Sequence, residues 1–170
     1  FKQKNQLRLV LPQGQLQVHT ASYRGSFSVV LSEALRSAGL GSRVLIAQFL
    51  KGGVNQGPGN GVNLCGELEW IRPSIQSCLS PQAGEDPNSY AKLAINEIWD
   101  FCKRKLLENV VDRLVLDEIG LAIEMGFINE EDLIATLINR PIATDIILTG
   151  PSIPSQIMSI ADQVTELRSS

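Results

Sequence analysis

Histidine is almost missing from this chain. His19 is the single one in 170 residues, so a metal centre built on histidines is excluded. Cysteine is scarce and odd in number: Cys65, Cys78 and Cys102, at spacings of 13 and 24, match no zinc-ligand pattern. They read as thiols in or near the core of a reduced, cytosolic (cytoplasmic) protein. An excess of basic residues is missing too. With 15 Lys and Arg against 18 Asp and Glu, the net charge of −3 argues against a general nucleic-acid binder, which shows a basic face. No apolar run approaches the roughly 18 residues that a membrane helix needs. The opening "FKQKNQLRLVL" carries three basic residues and lacks the unbroken apolar core of a signal peptide. What the chain does have is 44% hydrophobic and 19% charged residues, the balance of a folded globular protein with one substantial core.

Two hydrophobic periods alternate along it. "QLQVHT" (15–20), "RVLIAQFL" (43–50), "RLVLDEI" (113–119) and "TDIILTG" (144–150) have the length and composition of strands buried on both faces. "ELEWI" (67–71) and "DQVTEL" (162–167) alternate more and read as strands nearer an edge. Between them lie helical stripes. Phe27, Val30, Leu31, Ala34, Leu35 and Ala38 recur at three- and four-residue spacing, and Gly39 and Gly41 then stop that helix. Ala91, Ile95, Ile98, Cys102 and Leu106 form a second stripe, widened by Trp99 and Phe101, with Asn88 or Ser89 to cap its start. Asn129 caps a third helix, whose first turn is acidic at Glu130, Glu131 and Asp132, where the helix dipole favours negative charge; Pro141 closes it. "KGGVNQGPGNGVN" (51–63) and "RPSIQSCLSPQAGEDPNS" (72–89) are too rich in glycine, proline and serine for regular structure and read as loops.

Strands alternating with helices predict an α/β fold, a mostly parallel sheet with helices on both faces. Residues 1–13 read as an N-terminal extension and 14–170 as a single domain. Ligands of such sheets bind at the carboxyl ends of the strands. That rule selects the turn after Thr20, the pair Asp117-Glu118, and "TGP" at 149–151.

"RLVLDEI" runs four buried residues into two acids. An acidic strand end of this kind holds magnesium in phosphate-loop proteins, and a carboxylate suits that hard cation. A structural reading stands beside it: Asp117 caps a following short helix and Glu118 is solvated. The turn "TASYRGSFS" (Thr20–Ser28) has the place of a phosphate loop, G-x-x-x-x-G-K-[ST], in which backbone N–H groups and a helix N-terminus face the anion. Gly25 fits the second glycine. Ala21 stands at the first, Ser26 at the lysine and Phe27 at the hydroxyl, with Arg24 and Ser28 beside them. The structural alternative is a plain strand-to-helix turn, and a third is a site for a smaller anion held by backbone alone.

Several stretches in order carry a family resemblance: "VLIAQFLKGG", "GELEW", "LVLDEI", "LINRPIATDIILTG" and "ADQVTELR". From about Val18 to Leu167 the chain resembles the ATP:corrinoid adenosyltransferases, which move the 5′-deoxyadenosyl group of ATP onto the cobalt of a reduced corrinoid. The resemblance implies a three-layer P-loop NTPase-like (RecA-like) domain and a homodimer. It implies ATP and Mg as cofactors, and a corrinoid substrate. It implies catalytic roles for Asp117 and Glu118, Asp117 also holding the metal. Thr20, Ser22, Arg24, Gly25, Ser26 and Ser28 take the nucleotide- or anion-binding positions, and Lys51 and Glu67 the corrinoid side. Gln48, Phe49, Arg140, Asp162 and Glu166 match the family as well. The departures fall on phosphate chemistry. The family's first loop resembles "TGNGKGKTT"; here Arg24 and Ser26 replace both lysines and Phe27 replaces a threonine, while "TGP" replaces "TGR". The aromatic segment that covers the corrinoid has no clear counterpart in "RPSIQSCLSPQ". Two readings follow: an adenosyltransferase with an altered loop, or a non-catalytic relative that binds a partner or another ligand.

Overall fold

A computed structural model describes residues 11–24, 27–52, 56–75 and 89–168. Over these residues the elements run β1 (Leu16–Ala21), α1 (Ser28–Gly39), β2 (Val44–Gln48), β3 (Val62–Asn63), β4 (Leu68–Ile71), α2 (Ser89–Leu107), β5 (Arg113–Asp117), α3 (Ile119–Glu124), α4 (Glu130–Ile138), β6 (Asp145–Gly150), α5 (Ser155–Ile160) and β7 (Gln163–Leu167). One sheet has the order β3-β4-β2-β5-β6-β1-β7. Every neighbouring pair is parallel except β3 with β4. No helix among the described residues is long and apolar enough to cross a membrane.

Alternation along the strands sorts the core into two layers, because successive side chains leave a sheet on opposite faces. Leu16, Val18, Leu45, Ala47, Leu114, Leu116, Ile146 and Leu148 pack with the apolar stripes of α2, α3, α4 and α5. Val44, Ile46, Val115 and Ile147 point the other way and meet α1 through Val30, Ala34 and Ala38. Among the described residues, helices therefore cover both faces, four against one. The α2 stripe is buried as its spacing predicts, with Ile95, Ile98 and Cys102 fully enclosed. Burial pushes the Cys102 thiol far above its ordinary range, so it behaves as a small apolar side chain. In α4 the Asn129 side chain accepts the Asp132 backbone N–H at 2.8 Å, the expected cap. Helix α1 runs to Gly39, and Gly41 takes the positive φ of 100° that turns the chain back. Asn88 and Cys78 lie outside the described residues.

Two expectations change and one holds. β1 is not buried on both faces along its length: α1 packs over β2, β4 and β5 and leaves Gln17 and His19 half-covered. Val62–Asn63, inside the glycine-rich 51–63 stretch read as a loop, forms the short strand β3 and pairs antiparallel with β4. The two strands read as nearer an edge lie there: β4 stands beside the short edge strand β3, and β7, paired only with β1, is the other edge.

The amino ends of the strands are tied by a repeated device. Asp112 accepts Arg43 Nη2 at 2.7 Å and the Arg43 backbone N–H at 2.8 Å. Asp145 takes Arg113 Nη2 at 3.2 Å and the Gln15 N–H at 2.8 Å. Asp162 sits 3.5 Å from Arg140 Nη2 and accepts the Leu16 N–H at 2.7 Å. Each carboxylate thus satisfies a backbone N–H at the start of a neighbouring strand and carries an arginine. At the same end Gly14 passes so close to Thr144 that a Cβ would lie 2.2 Å from its carbonyl carbon, which only glycine permits.

Candidate functional site

The parallel register brings the carboxyl ends of β2, β4, β5 and β6 together, and their polar residues converge on the α1 face. Gln48, the one polar residue of β2, lies directly across from Asp117 at the end of β5. Its amide N–H donates to Asp117 Oδ2 at 2.8 Å. Its carbonyl accepts Trp70 Nε1 at 2.9 Å and Arg72 Nε at 2.8 Å. From β6, Thr149 Oγ1 donates to Asp117 Oδ1 at 2.9 Å and accepts the Glu118 backbone N–H at 3.0 Å. Gln48 and Asp117 are 1% and 5% exposed, so these bonds replace water rather than compete with it. Burial raises the Asp117 carboxyl above its ordinary value; the bonds from Thr149 and Gln48, with Lys51 nearby, oppose that shift. Lys51 Nζ stands 3.9 Å from Oδ2.

The backbone turns sharply at Glu118, which adopts a left-handed φ of 58° before α3. Gly150, at φ 125°, lies against it; a Cβ there would come 3.1 Å from Glu118 Cα. That turn aims the Glu118 side chain, 3% exposed, at Arg24. Arg24 Nε reaches Oε1 at 2.5 Å and Nη2 reaches Oε2 at 3.1 Å, a two-pronged guanidinium–carboxylate pair. The simple picture of Asp117 as a helix cap and Glu118 as a solvated acid therefore does not hold: α3 has no side-chain cap.

The predicted site residues divide. Thr20, next to last in β1, lies beside Gly150, and Ser22 and Ser28 are exposed, Ser28 opening α1. Arg24 joins Glu118, and Lys51 joins Asp117. Gly25 and Ser26 lie outside the described residues. Phe27, at the hydroxyl position, is buried in the α1-face core. Glu67 is at the other end of the sheet, where its carbonyl accepts the Val44 N–H and its side chain lines a cavity of about 330 Å³ with Arg43, Glu69 and Lys105. The structure does not bring it to Lys51. Arg140 and Asp162 also sit at that other end. Gln48, Thr149, Trp70 and Arg72 carry the site and had no assigned role; the readable signal was a glutamine closing an otherwise apolar strand.

Magnesium fits this arrangement poorly. Both Asp117 oxygens already accept internal donors, and both Glu118 oxygens accept Arg24. Among the described residues no group of three or more His, Cys, Asp and Glu could hold a metal ion. A hard cation that keeps several waters needs carboxylate oxygens free to face it.

Known proteins are similar to this chain over most of its length. Residues 12–170 match the family described as ATP:corrinoid adenosyltransferase BtuR/CobO/CobP. The corrinoid adenosyltransferase CobA of Salmonella typhimurium is 30% identical over 156 residues, covering 91% of this chain and 76% of that one. The corrinoid adenosyltransferase of Escherichia coli K12 is 28% identical over 155 residues, with the same coverage of 91% and 76%. A protein of Nostoc sp., named only as uncharacterized, is 26% identical over 168 residues; the chain spans 44% of its length.

Proposed function

The chain belongs to the ATP:corrinoid adenosyltransferase family, and we propose that it is a non-catalytic member of it, one that keeps the fold and no longer grips the triphosphate of ATP. The observation that carries this reading is the Arg24–Glu118 pair. Arg24 is the one cation within Thr20–Ser28, and it is committed to a carboxylate of its own chain. A triphosphate carries close to four negative charges at neutral pH. Without one of its charge-assisted hydrogen bonds, binding weakens by about 1.5–3 kcal/mol, or roughly 10- to 150-fold in affinity. Two lysines and the "TGR" arginine are gone, and freeing Arg24 would leave Glu118 buried without a counterion, a further cost. What remains is a binding or interaction protein on an adenosyltransferase scaffold, placed in the cytoplasm by its cysteine usage and homodimeric by its family resemblance; light scattering tests the dimer.

The deciding measurement is calorimetry with Mg-ATP, together with an assay for adenosylated product in reduced corrinoid and Mg-ATP. We expect no binding heat and no product above the no-protein control. Micromolar binding abolished by Gly25→Val, or clear turnover, would overturn the reading in favour of an adenosyltransferase with an altered loop. The approach of Lys51 to Asp117 is the observation that favours that second reading, since it keeps a cation beside the acidic strand end.

A further inference from the structure

We infer that Arg24 is a built-in counter-cation: its guanidinium stands where a divalent metal would have to sit, and it excludes such a metal from the acidic end of β5. The inference deepens the proposed closure of the nucleotide site and rests on it. The ground is charge and geometry. Glu118 is a buried carboxylate, aimed by a left-handed backbone at a fixed point. A buried carboxylate demands a cation or a proton. Arg24 meets both of its oxygens, and Lys51 stands beside Asp117. The two acids thus face Arg24 and Lys51, Arg72 adds a third cation through Gln48, and each Asp117 oxygen accepts a further bond, from Thr149 or Gln48. A divalent ion would add two positive charges where cations already match or outnumber the acids, and would have to break the Arg24 pair first. Arg24 is thus the specificity-determining residue of the site. Its guanidinium supplies the positive charge that the acidic strand end requires.

The test uses Mn²⁺ alone, without nucleotide, read by the electron paramagnetic resonance of free Mn²⁺ and by the melting temperature. Wild type is expected to bind Mn²⁺ weakly and to melt at the same temperature with it or with EDTA. Arg24→Ala leaves the buried Glu118 carboxylate without the cation that faces it. It should bind Mn²⁺ about tenfold tighter or more and melt higher in its presence. Arg24→Lys retains the charge and should behave as wild type. Arg24→Ala combined with Glu118→Gln should lose the gain. Should Arg24→Ala not fold unaided, its refolding yield in MnCl₂ against EDTA reads the same quantity. Equal Mn²⁺ binding by wild type and a folded Arg24→Ala, a refolding yield indifferent to the metal, or strong binding by Arg24→Lys would each overturn the inference. Because no nucleotide is present, the outcome is distinct from that of the Mg-ATP titration: wild type could bind Mg-ATP and sink the functional reading while the Mn²⁺ series still reported on Arg24.

Discussion

The two ends of the sheet handle charge in opposite ways. At the amino ends, Arg43–Asp112, Arg113–Asp145 and Arg140–Asp162 are partly exposed pairs whose carboxylates also hold a strand's first N–H. At the carboxyl ends, Gln48, Asp117, Glu118 and Thr149 are enclosed and bonded to one another. Solvated pairs contribute little each, because water already serves both ions. Enclosed groups have only their protein partners, and removing one partner strands the other. Arg140 and Asp162 brace strands, whereas Gln48, Lys51, Asp117 and Glu118 cluster with Arg24.

The contrast can be broken most forcefully at Gln48. Gln48→Leu deletes three hydrogen bonds and leaves Asp117, Trp70 Nε1 and Arg72 short of partners. A loss of about 3 kcal/mol or more is expected, from roughly 1.5–3 kcal/mol per bond to a charged group, read as a shifted urea midpoint. A loss below that of an amino-end pair would erase the distinction between the two ends. A smaller effect is expected from a double-mutant cycle on Arg43→Ala and Asp112→Ala. Both side chains are about 40% exposed, so the coupling should stay near or below about 1 kcal/mol and weaken in high salt. Coupling that salt does not touch would place this pair with the enclosed cluster.

The subtlest difference lies in acid titration. Arg43 beside Asp112 holds that carboxyl below its ordinary 3.8, chiefly through their hydrogen bond. Its contribution is therefore present above pH 3.8 and lost as pH falls through the lower folded value. Burial raises Asp117 above 3.8, so its ionisation costs stability as pH rises through the higher folded value. Carboxyl carbon-13 titration should order them Asp112 before Asp117 with rising pH. The reverse order would mean that Asp117 is more solvated than its position implies.

Much of the fold was legible because its signals are local. Four apolar runs, the α2 stripe and the Asn129 cap are patterns within a few residues, and each became the element its period predicts. The partial burial of β1 was not legible, for a long-range reason. Nothing in "QLQVHT" tells that α1 lies over β2, β4 and β5 and leaves β1 half-covered. Likewise Val62–Asn63 is a strand only because β4 offers it an edge.

For the site, the sequence by itself determined what chemistry is missing: no lysine in the first loop, Phe27 at a hydroxyl position, Pro151 after Thr149-Gly150. It also placed two acids at a strand end. Only the tertiary structure decided where the surviving charge goes. Arg24 and Glu118 are 94 residues apart and meet because β1 and β5 flank β6 in one parallel sheet. Gln48 and Asp117 face each other for the same reason. A side chain's type is written locally, but its partner is set by strand order and register.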